Sequence, residues 1–261
     1  MQLYLSLNSS SDMGIQFSTT PELFGVFHIC TLIIGIAFNA GVFLFFKDKD
    51  ETVLLNTIHR IGIFVFVMEI VKQIFCYIYV FDSTINLWFF PWQLCSMMIY
   101  CSLFIKANNK QLQNTLLMFL STFNLFASIV ALIIPSDMLR PQIFLTIYSF
   151  LYHFLMISAA KLSIFILKNR DNLHFSYTIV LFIIMSLVAE AINVISHHIL
   201  HDIHREPDMF YITPYYETTQ PVFHTIAIRY GIFTEVIIYL GSIILFSYLI
   251  YRLIQKLFSI I

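Results

Sequence analysis

Apolar residues run in seven long stretches, at about 24–46, 58–80, 88–105, 112–134, 142–167, 175–200 and 225–251, separated by short polar segments. At 1.5 Å rise per residue, stretches of roughly 16–27 residues are mostly long enough to cross a ~30 Å hydrocarbon core. The pattern predicts an all-α fold, a polytopic membrane helix bundle of seven transmembrane helices. No polar gap is long enough for a separate soluble domain, so residues 1–261 read as one integral membrane domain. The stretches share no motif at a fixed period, so no internal repeat is expected.

Lysine and arginine mark alternate gaps. Lys47, Lys49 and Arg60 follow the first stretch, Lys106 and Lys110 the third, Lys168 and Arg170 the fifth, and Arg252 and Lys256 the last. The opposite gaps carry only Arg140 and Arg205, and the N-terminal tail and second gap carry none. Nine cations against two place the N-terminus outside and the C-terminus in the cytoplasm under the positive-inside rule.

Composition agrees with this picture. With 59% hydrophobic residues, 11% charged residues and 28 Phe, a water-soluble domain would lack the polar surface to cover itself. A net charge of −1 points away from nucleic-acid partners. The first 20 residues have no basic n-region or small-residue cleavage site, so the first crossing is expected to double as an uncleaved signal. A bacterial plasma membrane is the simplest location.

Cys30, Cys76, Cys95 and Cys101 all lie inside apolar stretches, which argues against a structural disulfide framework. No CxxC or HExxH pair suggests a metal, and no cofactor is expected. The nearest metal-like spacing is His197, His201 and His204, at i, i+4 and i+7, with Asp202 and Glu206 beside them. A zinc site there would need a further ligand, for which His224 is the candidate. A wet, polar helix end at the membrane surface accounts for the same residues.

Function in such a chain concentrates in polar residues that a bilayer excludes. These are His28 in the first stretch, Glu69 and Lys72 in the second, Gln93 in the third and Asn124 in the fourth. His153 and Lys161 lie in the fifth, Glu190 and Asn193 in the sixth, and Arg229 and Glu235 in the seventh. Glu69 and Lys72, three residues apart, can pair on one helix face. Lys161 is near enough to the inner surface to snorkel, and Arg229 can snorkel outward or pair with Glu190.

The third stretch opens Trp88-Phe89-Phe90-Pro91-Trp92-Gln93-Leu94-Cys95-Ser96, with proline suited to a first helical turn and tryptophan to the interface. The fifth enters from the same face after Pro141 and carries Tyr152-His153 near its middle. For straight helices, Cys95 and His153 would differ in depth by roughly 6–12 Å. A thiol buried in lipid needs a base or cation to become a nucleophile, and a Cys–His pair would supply one. Either residue can also be read as packing, since cysteine is often a small buried hydrophobe.

At these residues the chain resembles the YwaF-like integral membrane proteins. The likeness runs from about Phe24 to the last stretch. It rests on Phe24 to His28, on Arg60, Glu69 and Lys72, and on Phe90-Pro91-Trp92-Gln93-Leu94-Cys95, together with the segment ending Ala131-Leu132-Ile133-Ile134-Pro135 and with Tyr148 to His153. The Cys95-to-His153 spacing is similar to that of the family's vertebrate branch. That branch is regarded as acyltransferases moving polyunsaturated chains onto ether lysophospholipids with the corresponding Cys and His. There are departures: Gln93 stands where the family usually has His, Phe126-Ala127-Ser128 replaces a Gly-rich patch, and an Asn-Tyr segment expected near His197-His198 is not recognisable.

The resemblance implies a phospholipid acyltransferase or acyl-ester hydrolase. Cys95 would be the nucleophile, His153 the base and Gln93 an orienting donor, with His28, Glu69 and Lys72 in support. The partner would be a membrane phospholipid or lysophospholipid entering from the outer leaflet. Two other classes fit the same residues. One is a proton- or solute-coupled carrier or binding protein using Glu190, Asn193, Arg229 and Glu235, and the other is a non-catalytic seven-span protein.

Overall fold

The computed structural model describes residues 16–81, 86–171, 173–200 and 206–260. Among the described residues, six helices are long and apolar enough to cross a membrane: Val26–Phe46, Glu51–Tyr79, Lys110–Ile133, Ile143–Leu167, Phe175–Ile199 and Ile232–Leu257. We label the helices α1 (Val26–Phe46), α2 (Glu51–Tyr79), α3 (Met97–Leu103), α4 (Lys110–Phe119), α5 (Leu125–Ile133), α6 (Ile143–Leu167), α7 (Phe175–Leu200), α8 (Pro221–Tyr230) and α9 (Ile232–Ile260). α4 and α5 form one rod, joined by a π-helical turn at Leu120–Asn124.

Burial ranks the rods. About two-thirds of the apolar window of α6 is buried and 61% of that of α4–α5, against 11% for α1 and 17% for α9. The centre is therefore α4–α5 with α6, filled by Phe119, Phe123, Met156 and Leu162, and Phe119, Phe123 and Phe182 stack ring on ring. The periphery exposes large apolar side chains, among them Ile33, Ile36, Leu187 and Phe233. No water-exposed surface sustains so much contiguous hydrocarbon, and a lipid-facing one requires it. The molecule is an integral membrane protein.

Small residues let the rods approach. A Cβ on Gly35 of α1 would fall 2.1 Å from the Phe154 ring of α6, and one on Gly62 of α2 would fall 2.7 Å from Ser102 Cβ. Beside Gly35, the Asn39 amide donates to the carbonyls of Gly35 and Phe154, and Lys161 donates to the Asn39 carbonyl at 2.9 Å. Lys161 is thus tied across to α1.

One polar cluster aligns three helix ends. Glu51, the first residue of α2, pairs with Arg170 at 2.5 Å and with Lys110, the first residue of α4, at 3.5 Å. Arg170, just beyond α6, also donates to Gln113 at 2.6 Å and to Asn114. Consecutive long helices α2 and α4 therefore start at the same end of the bundle and run parallel, so the chain must return between them.

Residues 87–109 make that return. Gln73, about 33 Å along α2 from Glu51, donates to the Phe89 carbonyl. Ser102 lies against Gly62 and accepts from His59, and Lys110 then meets Glu51. Only the seven residues of α3 are α-helical in this traverse, with a single 3₁₀ turn at Leu87–Phe89, where the apolar stretch 88–105 predicts a continuous helix. The last stretch differs too: 225–251 divides into α8 and α9 at Gly231, whose φ of +87° ends α8 in a conformation that glycine adopts without strain.

Candidate functional site

The non-helical part of the traverse exposes backbone groups that side chains of other elements satisfy. The Phe89 carbonyl accepts from Lys72 at 3.4 Å and from Gln73. Both donors belong to a network on Glu69, which pairs with Lys72 at 2.6 Å and accepts from Gln73 and from the Tyr148 hydroxyl, each at 2.7 Å. The buried carboxylate thus joins α2, α6 and the turn at Leu87–Phe89, with every strong contact charge-assisted or donated by a hydroxyl.

Cys95 follows six residues after that turn. The Asn124 amide, projected from the π-helical turn, donates to the Leu94 carbonyl at 3.2 Å and to the Cys95 carbonyl at 3.4 Å, and the Tyr152 hydroxyl reaches the Cys95 carbonyl at 3.1 Å. The Cys95 thiol is half-buried and hydrogen-bonds with Ser96. Cys95 and Tyr152 therefore stand at one level of the bundle, because the traverse is not the straight helix on which a depth difference was reckoned.

His153 is next to Tyr152 and buried. Its Nδ1 lies 2.7 Å from the Ser149 carbonyl, one turn back on α6. A carbonyl only accepts, so Nδ1 carries the proton and Nε2 keeps its lone pair. Among the described residues no hydrogen bond joins His153 to Cys95, and none occupies Nε2.

Gln93 and His28 are fully engaged elsewhere. Gln93 donates to the Asp208 carbonyl at 2.7 Å and accepts from the Phe210 N–H at 2.9 Å. Asn193 clamps the adjacent peptide, accepting from the Met209 N–H at 2.7 Å and donating to its carbonyl at 3.2 Å. His28 accepts from the Phe24 N–H at Nδ1 and donates from Nε2 to the Leu132 carbonyl at 2.9 Å, tying the head of α1 to the end of α5.

The clamped segment is the connection between α7 and α8, which folds into the bundle instead of lying over it. Met209, Phe210 and Ile212 are buried, and the Phe210 ring stacks on Phe182 of α7. Phe210 and Tyr211 both adopt a left-handed φ of 58°, a conformation costly for aromatic residues that the two amide clamps hold in place. Asp208, outside the spanning helices, accepts from the Thr213 N–H at 3.0 Å through Oδ1. Burial pushes its carboxyl up to about 7, the Thr213 N–H draws it back down, and the charge of Glu190 raises it further.

The residues read as a polar path are divided. Glu190 and Asn193 of α7 and Glu235 of α9 face the clamped segment, whereas Arg229 stands exposed on α8 and makes no ion pair with Glu190 among the described residues. His197 pairs with Glu206 at 2.8 Å and stacks on Tyr215, and His224 bonds to the Thr218 carbonyl. His201 and His204 lie outside the described residues, and no three potential ligands gather at metal-binding distance among those described. The cysteines described are all unpaired.

Sequence reasoning missed Gln73, Tyr148, Tyr152 and Asp208 as parts of this centre. For Asp208 the signal is Met209-Phe210-Tyr211-Ile212, an apolar run inside a polar gap. Outside the centre, a cleft of about 460 Å³ opens on the bundle surface between α3, α4 and α7, lined by Tyr100, Leu103, Phe104, Leu116 and Met185 with Lys106 at its rim. Comparison with protein-family models, characterised proteins and solved structures finds no match.

Proposed function

We propose that this integral membrane protein crosses the bilayer seven times, with its N-terminus outside and its C-terminus cytoplasmic, and transfers acyl groups of membrane phospholipids through Cys95 and His153. The parallel start of α2 and α4 at the Glu51–Lys110 cluster supports the crossing number. The cluster of Lys47, Lys49, Lys110 and Arg170 at that end supports the orientation. The observation that carries the chemistry is the 2.7 Å contact of His153 Nδ1 with the Ser149 carbonyl, which assigns the proton to Nδ1 and leaves Nε2 as the acceptor that a general base requires. Likeness to the YwaF-like proteins supports the same pair.

In this reading a bound phospholipid ester brings the thiol and Nε2 together. His153 takes the thiol proton, and the sulfur attacks the ester carbonyl to form a tetrahedral intermediate. Its collapse breaks the ester C–O bond, leaving an acyl-thioester on Cys95 while His153 protonates the departing lysophospholipid alcohol. A second alcohol, or water, then attacks the thioester with His153 again as base, and the thiol is regenerated.

The test is covalent capture in lipid vesicles of a phospholipid carrying a radiolabelled acyl chain. Wild type should retain hydroxylamine-sensitive label, Cys95→Ala none, and His153→Asn at least about 100-fold less in rate, the range expected for loss of a general base. Label that persists in Cys95→Ala overturns the proposal.

A further inference from the structure

Three carboxylates from separate elements lie near one another, Asp208 within electrostatic reach of the other two, and among the described residues no cation pairs with them. Glu190 comes from α7, Asp208 from the clamped connection and Glu235 from the first turn of α9. Asp208 is wholly buried and Glu235 is 1% exposed. Oε2 of Glu190, Oδ2 of Asp208 and Oε1 of Glu235 are each shielded from solvent without a hydrogen-bond partner. Asp208 lies within electrostatic reach of both Glu190 and Glu235.

Among the described residues, the charges that could compensate them are placed elsewhere. Arg229 is exposed on α8, Arg140 lies over the Phe89 ring, His197 pairs with Glu206, and Lys72 pairs with Glu69. Other titratable groups around the three acids are Tyr211 on the connection, whose hydroxyl donates to Asp137 at 2.9 Å, and Tyr239 on α9, with Cys95 of the traverse in reach of both tyrosines. Gln93 and Asn193 give their amides to backbone groups of the connection. Leaving several bare carboxylates in such a place costs several kcal/mol per charge, so the group must bind something positive. Protons bind one to a carboxyl and need no shared coordination sphere, and among the described residues no three ligating side chains converge at metal distance.

We propose that Glu190, Asp208 and Glu235 form a buried proton-binding site, completed by the 206–213 connection when it carries Asp208 between α7 and α9. The oxygens that lack a partner are the positions the protons occupy. Asp208 takes its proton on Oδ2, since Oδ1 already accepts from the Thr213 N–H. Burial, which already favours the protonated Asp208, acts in the same direction. The site is independent of the acyl-transfer reading, because none of its members takes part in the Cys95–His153 step.

Infrared difference spectroscopy on the full chain in phosphatidylcholine vesicles tests this. Between about pH 5 and pH 9, the carbonyl band of buried protonated carboxylic acids should disappear in wild type. It should shrink by at least about a quarter in each of Asp208→Asn, Glu235→Gln and Glu190→Gln, and nearly vanish in the triple variant. On wild type alone, dicyclohexylcarbodiimide followed by peptide mass spectrometry should modify one or more of the three acids in the acid range and not at the alkaline end. Loss of that labelling when sodium chloride replaces choline chloride would make the ligand a sodium ion and overturn the proton assignment. A band unchanged in every variant, or no adduct on any of the three residues, would overturn the site itself.

Discussion

Replacing Gln93 by methionine keeps the side-chain volume and deletes both polar ends of its clamp. The Asp208 carbonyl then loses a 2.7 Å bond and the Phe210 N–H a 2.9 Å bond, and both groups sit in the buried connection. An unsatisfied buried backbone group costs about 1–3 kcal/mol, and hydrogen bonds in membrane bundles fall toward the low end of such ranges. The expected destabilisation is therefore about 2–4 kcal/mol. Release of the left-handed backbone at Phe210 and Tyr211 returns part of the strain, which keeps the figure below the sum of two full penalties. Thermal unfolding of the purified protein in detergent, followed by tryptophan fluorescence, reads this directly, since the indole of Trp92, next to Gln93, is bonded to the Met185 carbonyl. Asn193→Leu should cost a similar amount. Because both amides hold one segment, the double variant should fall short of the sum by at least about 0.5 kcal/mol. A Gln93→Met protein within about 0.5 kcal/mol of wild type would refute the clamp, as would strict additivity.

Tyr148→Phe should cost about 1–3 kcal/mol by leaving Glu69 Oε2 without its donor, and Glu69→Ala about 3–5 kcal/mol by stranding Lys72, both measured by melting in detergent. Gly62→Ala should cost about 1–3 kcal/mol, because the new methyl would meet Ser102 Cβ at 2.7 Å and backbone atoms of 102–103 at 3.0 Å, whereas Gly241→Ala, with open space around it, should be neutral. Asp208 fixes the sign of a pH effect. Its folded carboxyl stands near 7 against an ordinary 3.8, so the folded state holds the proton more tightly and stability declines as pH rises from about 4 to about 7. Melting temperatures across that range should fall in wild type, and Asp208→Asn should lessen the slope.

Six of the seven apolar stretches become long helices because an apolar run leaves the backbone no partner in lipid but itself. The stretch 88–105 is also apolar, yet its carbonyls are taken by side chains: Phe89 by Lys72 and Gln73, Pro91 by Tyr100, Leu94 by Asn124, and Cys95 by Tyr152 and Asn124. Those partners lie as far as 57 residues away, beyond any window of local periodicity. The centre was legible to the same degree. Spacing alone pairs Glu69 with Lys72, but Tyr148 and Gln73 join them only through tertiary packing. Gln93 has the chemistry of an orienting donor, and its occupation by the 208–210 backbone is set by a segment more than a hundred residues on.

That traverse also constrains how the chain is made. A helix carries its own hydrogen bonds, but residues 87–109 do not, because some of the groups that satisfy them lie later in the chain. Asn124 arrives with the next rod and Tyr152 with the one after. These contacts of the segment form only once the later rods are present, and the start of α4 is fixed in its turn beside Glu51. The second half of the chain thus completes the fold of the first half.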